Sequence, residues 1–311
     1  MLYSEGTGFA GFEAAHFGAF EQAKWASHRF NLERMKVSAA LEGLRKVLVA
    51  GLEVPEEGLT WNLSAAHPEV LNAHKVDCLW LYLARNDKER ETVEKGAERE
   101  LSLAQMIQRP NAMHRFAFVG VRVHAAGLEW GLWIHANAVL DRRNLEAALK
   151  DPFERTKVSP LMARLPEGSV ARVGGQTSNP VAWLEQTEGR LPAWEDFLFF
   201  GRDLDTQDAA QAGADVVQTL QADLPRFLAL FRLFAWSSGN DRLGLAKLIK
   251  EEKKERVRKQ SGLEPGDRVR VTRGMLAGQQ GTLQELDSRG KAKVLLGRLT
   301  IDLQADMLTK I

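Results

Sequence analysis

Apolar residues Phe30, Val37, Leu41, Leu44 and Leu48 recur at spacings built from threes and fours and run up to Gly51. That period predicts one long amphipathic helix over Ser27–Ala50, with Leu32, Met35 and Val47 widening its apolar face. Val76–Ala84 is almost continuously apolar between polar flanks and predicts a buried strand. Asn86 and Asp87 then offer a cap for a charged helix reaching about Lys95. Phe116–His124, the turn Ala125-Ala126-Gly127 and Leu128–His135 predict an antiparallel hairpin. Alternation puts Ala117, Val119, Val121, Val123, Leu128, Trp130, Leu132 and Ile134 on a core face. Phe118, Arg122, His124, Glu129, Trp133 and His135 fall on the other.

A helix is expected over Asp141–Lys150 with Asp141 as its N-cap. Between Asp151 and Trp194 five prolines and the Gly174-Gly175 pair predict short strands and turns. Two helices are expected over Thr206–Ala222 and Leu224–Trp236, separated at Asp223 and Pro225. Strands framed by helices without strict alternation make residues 1–245 a large mixed α+β domain. Residues 246–262, almost all charge from Lys250 to Lys259, predict a solvated helical linker ended by Gly262 and Pro265. Residues 263–311 break into five short alternating pieces: Asp267–Thr272, Gly281–Leu286, Lys291–Leu295, Leu299–Leu303 and Met307–Ile311. So thin a core is best closed as a small barrel, which removes sheet edges.

The 311 residues carry 42 basic and 41 acidic side chains, a formal net charge of +1, which excludes a whole-molecule polyanion coater. The charge is uneven. About fourteen basic against nine acidic residues lie after Leu248, so a polyanion should meet the C-terminal end first. The single cysteine, Cys78, excludes an internal disulfide and a cysteine-rich zinc site and fits a reducing, cytoplasmic setting. Within Cys78-Leu79-Trp80-Leu81 it reads as a buried, inert thiol. Met1–Phe20 has no basic n-region, and Phe227–Trp236 is too short to span a bilayer, so neither a signal peptide nor a membrane partner is expected.

Pro265-Gly266-Asp267-Arg268-Val269-Arg270-Val271, followed by Gly274-Met275-Leu276-Ala277-Gly278-Gln279-Gln280-Gly281-Thr282-Leu283, resembles the KOW motif. That motif is shared by the transcription factor NusG, its eukaryotic relatives and some large-subunit ribosomal proteins. The resemblance covers about 47 residues and implies a five-stranded SH3-like barrel that docks on RNA, the ribosome or the transcription machinery, or on an associated protein. Leu276 and Gln279 stand where the NusG loop presents aromatics, so the same protein partner is not implied. Nothing before residue 250 resembles the polymerase-binding domain of NusG. Phe9-Ala10-Gly11-Phe12, the hairpin after Arg115 and Phe199-Phe200-Gly201-Arg202 are similar to the uncharacterised YktB family, which implies a fold and no activity.

For the C-terminal unit the expected binding surface is Arg268, Arg270, Arg273, Lys291, Lys293 and Arg298 around the loop Gly274, Met275, Leu276 and Gly278, because phosphates attract such cations. In the large domain Arg122, Glu129, Trp133, His135 and Arg142 are the candidate cleft. The competing reading of that set is a cross-strand Arg122–Glu129 pair beside a helix cap. No HExxH, cysteine pair or His-x-His occurs, so no metal and no cofactor is expected. Gly174-Gly175-Gln176 lacks the lysine of a phosphate loop, and Asp203, Asp205 and Asp208 lack the glycine and glutamate of a calcium loop. The sequence thus predicts a cytoplasmic binding protein. The alternative is an enzyme acting on nucleic acid or a nucleotide, with the barrel as its targeting module.

Overall fold

The computed structural model describes residues 8–52, 58–97, 112–187, 191–192, 194–245, 247, 254 and 257–311. It divides into two compact units, Met1–Leu243 and Gly244–Ile311. Both are built on antiparallel sheets, and the large unit adds helices, so the protein is mixed α+β.

In the large unit the strands are β1 (Leu59–Leu63), β2 (Cys78–Arg85), β3 (Phe118–His124), β4 (Gly127–His135), β5 (Val170–Val173), β6 (Gln176–Ser178) and β7 (Phe197–Asp205), in the order β1-β2-β3-β4-β7-β5-β6. The helices are α1 (Ala14–Gly18), α2 (Asn31–Gly51), α3 (Asp87–Ala97), α4 (Ala112–Arg115), α5 (Val139–Lys150), α6 (Pro152–Ala163), α7 (Pro180–Gln186), α8 (Thr206–Ala212) and α9 (Val216–Phe234). Leu79, Leu81, Val119, Val121, Val123, Leu128, Trp130 and Leu132 form one sheet face and are buried against α2 and α9. α9 presents Val217, Leu220, Leu224, Phe227, Phe231 and Phe234 to this core at helical spacing.

Several expected elements are corrected. The long helix begins at Asn31, preceded by a 3-10 turn at His28–Phe30. Asp141 lies inside the first turn of α5 and is no N-cap. Its buried carboxylate accepts from Arg85 (2.6 and 3.0 Å) and from the backbone N–H of Ala117 (2.7 Å) and Trp236 (2.8 Å), tying three remote segments together. Pro152 and Pro180 start helices, following Asp151 and Asn179 caps, where turns had been expected. The break before α9 falls at Gly213, not at Asp223. Pro225 sits within α9, while the buried Asp223 accepts from Trp130 Nε1 (2.9 Å) and Arg202 (2.9 Å). β7, not anticipated, pairs with β4 along its whole length.

The C-terminal unit holds β8 (Arg268–Val271), β9 (Gln280–Leu286), β10 (Lys291–Leu296), β11 (Leu299–Gln304) and β12 (Leu308–Lys310), with a 3-10 turn at Ala305–Met307. Their order is β11-β10-β9-β8-β12, and no ladder joins β11 to β12. Val269, Val271, Leu283, Leu286, Ala292, Val294, Leu296 and Leu308 point to one small core. The expected linker helix lies largely outside the described residues, of which 257–261 are helical.

Candidate functional site

The second face of the seven-stranded sheet is not a polar surface. Trp80, Tyr82, Phe118, Trp133 and Phe199 bury a second apolar cluster there, with Trp80 edge-on to Phe118 and Trp133 (ring centroids 5.4 and 5.0 Å). The register lines up Gly120, Gly131 and Gly201 across three strands. Phe199 folds over this row: a Cβ at Gly201 would meet its ring at 2.3 Å.

On one side of the glycines Trp80, Arg122, Glu129 and Asp203 form a row. Glu129, 4% exposed, accepts from Arg172 (2.6 Å) and Arg122 (3.3 Å), while Arg122 also faces Asp77 (3.6 Å) and lies over the Trp80 ring (5.1 Å). Burial works against ionisation of Glu129, but the two guanidiniums and nearby His124 outweigh it and hold its carboxyl below the usual range. It therefore stays charged and paired at neutral pH and is no proton acceptor. Cys78, near Arg122 and Asp77, is pushed up to about 12 by burial, so the thiol is inert.

On the other side His135 stacks flat on His114 (4.1 Å, 3° between planes), with Phe197 edge-on. The backbone N–H of Asn137 donates to His135 Nδ1 (2.9 Å), placing the proton of the neutral ring on Nε2, 3.9 Å from Asp196. Burial, with His114 and Arg142 adding to it, lowers His135 to about 4. Both imidazoles are neutral at pH 7. A groove of about 790 Å³ runs beside these groups, lined among others by Ser64, Lys75, Trp80, Tyr82, His114 and Arg122.

The candidate cleft is therefore divided. Glu129 and His135 are six residues apart on one strand, roughly 20 Å at the strand rise. Arg122 and Glu129 neutralise each other, Trp133 is core, and Arg142 lies over Trp194 (4.4 Å) while donating to the Ala136 carbonyl (2.6 Å). No nucleophile and base are brought together among these residues. Among the described residues no group of His, Cys, Asp or Glu is arranged to hold a metal ion, and no helix is long and apolar enough to cross a membrane.

The C-terminal unit separates its cations into two classes. Lys291 pairs with Asp302 (2.7 Å), Lys293 with Glu285 (3.0 Å) and Lys310 with Asp267 (2.7 Å), and Arg273 pairs with Asp306. Exposed Arg268, Arg270 and Arg298 have no ion pair among the described residues. Arg268 stands opposite Thr282, and Arg270 lies between Gln280 and Thr309. Arg298 lies apart from them, in the two-residue turn between β10 and β11 where Leu296 pairs with Leu299. No Asp or Glu occupies these cross-strand positions. The loop 272–279 is closed by Gly278 N–H to Val271 O (2.8 Å) and Ala277 N–H to Gly274 O (3.1 Å). Gly274 and Gly278 take the left-handed conformation at φ 88° and 87°. Met275 projects fully into solvent, whereas Leu276 packs on the small core.

No protein-family model and no curated protein matches the chain. The six expected cations are thus resolved as three paired ones (Arg273, Lys291, Lys293) and three with no ion pair among the described residues (Arg268, Arg270, Arg298). Arg172 and His114, which complete the two clusters of the large unit, carry no local sequence signal. Arg172 reaches Glu129 from β5, and His114 reaches His135 from α4.

Proposed function

We propose that the chain is a binding protein whose C-terminal unit, a KOW-type SH3-like barrel, docks on RNA or a ribonucleoprotein, while the large unit recognises a further partner. The observation that carries this reading is the β12–β8–β9 face, where Arg268 and Arg270 stand among Thr282, Gln280 and Thr309 with no acidic cross-strand partner among the described residues. Free guanidiniums beside hydroxyl and amide groups suit phosphate and sugar contacts. The KOW reading is supported by the glycine-closed loop before β9 and by β12 returning to pair with β8. The enzyme alternative finds no support in its proposed residues, since Glu129 is locked between two arginines and far along the strand from His135.

RNA co-purifying with the full chain from a native lysate should fall about tenfold or more in the R268E/R270E double variant, because two phosphate contacts become repulsions. RNA recovery unchanged by that variant contradicts the reading. So does an association that survives RNase treatment yet is lost in R268E/R270E, which marks a protein partner of this face.

A further inference from the structure

We infer that the polyanion taken by this face is the backbone of a base-paired, A-form RNA, bound without regard to sequence, and not a single strand read through its bases. This rests on the RNA-docking reading above. Single strands are held by aromatic side chains on which the bases stack. No Phe, Trp or Tyr occurs after Trp236, so the C-terminal unit has no such platform. Its donors are of another kind. Arg268 and Arg270 project from one face of β8, two residues and roughly 6.8 Å apart along the strand. That separation is comparable to the step between consecutive phosphates of one chain. Thr282, Gln280 and Thr309 flank them as hydroxyl and amide groups suited to sugar and phosphate oxygens.

The surface is rigid in the way a rigid target rewards. The arginines alternate with Val269 and Val271, which are buried in the unit's core, so their backbone is fixed by packing and by ladders on both sides. A duplex presents phosphates at fixed spacing and needs no ordering on binding, whereas a flexible strand loses conformational entropy that two arginine contacts offset poorly. The wide, shallow minor groove of A-form RNA also accepts a blunt surface such as this one. Fully exposed Met275, at the end of the glycine-closed loop, supplies an apolar contact there without stacking.

The test is fluorescence anisotropy of the full chain with two labelled RNAs carrying equal numbers of phosphates, a perfectly paired hairpin and unstructured polyuridylate, across a salt series. The hairpin should bind more tightly, and hairpins of different sequence should bind equally. With phosphate contacts from Arg268 and Arg270 the log–log salt slope should be about −1.8, and R268E should lessen it by about 0.9. Tighter or equal binding of polyuridylate, lost in R268E/R270E, overturns the duplex inference and leaves RNA docking standing. Binding of neither RNA, or binding of both that R268E/R270E leaves unchanged, overturns the docking reading itself. Circular dichroism of the double variant confirms that a loss is not unfolding.

Discussion

Glu129 and His135 occupy one strand face with opposite electrostatic fates. Glu129 is ionised because Arg122 and Arg172 compensate its burial. Glu129→Gln removes the buried counter-charge shared by both guanidiniums, leaving Arg122 facing Asp77 (3.6 Å) and Arg172 facing Asp203 (3.8 Å). Breaking a fully buried pair typically costs about 3–5 kcal/mol; with these arginines partly solvated, about 2–3 is expected, read from urea midpoints. His135 is neutral because burial and its cationic neighbourhood oppose protonation. Its folded value, about 4, lies below the unfolded 6.5, so between those values the unfolded chain binds more protons and stability falls as pH falls. The window corresponds to up to about 3 kcal/mol. His135→Asn, whose amide oxygen can still accept the Asn137 N–H, should lose correspondingly less stability than the wild type between pH 6.5 and 4. Parallel pH dependences in the two proteins would contradict the assignment.

Elements were legible where the pattern is local and hidden where partners come from afar. The hairpin faces follow from alternation, because Val119, Val121 and Val123 need only the period of a strand to be placed. Asp141 and Asp223 look like caps in sequence, since each opens or divides an apolar period. Their actual partners, Arg85 with Trp236 and Trp130 with Arg202, are separated from them by tens of residues. Prolines misled in the same manner: Pro152 and Pro180 each follow a capping residue, where proline's fixed φ favours a first helical turn. β7 was concealed by its mixture of aromatics, a glycine and acids, although Phe197–Phe200 is apolar enough for a central strand. Its packing gives a further prediction. Gly131→Ala would bring a Cβ to 2.1 Å from Phe200 O, and the β4–β7 ladder must shift. A loss of about 1–3 kcal/mol is expected by thermal or urea melting, and a neutral result would show that the two strands do not approach so closely.

Across the whole molecule, charge counted along the sequence located the basic end but not the basic surface. Lys291 and Lys293 look equivalent to Arg268 and Arg270 in composition. Only the antiparallel register sets Asp302 and Glu285 against the lysines and leaves the β8 arginines facing threonine and glutamine. The candidate site of the C-terminal unit was therefore half legible, and the large unit's candidate cleft dissolved once strand rise separated Glu129 from His135. In the proposed function the outer β12–β8–β9 face meets the RNA backbone. Hydrogen exchange of the full chain, with and without a saturating RNA hairpin, tests it most directly. Protection confined to peptides covering 268–271, 280–284 and 308–310 is predicted. Protection centred on 291–293, or confined to the large unit, would contradict it.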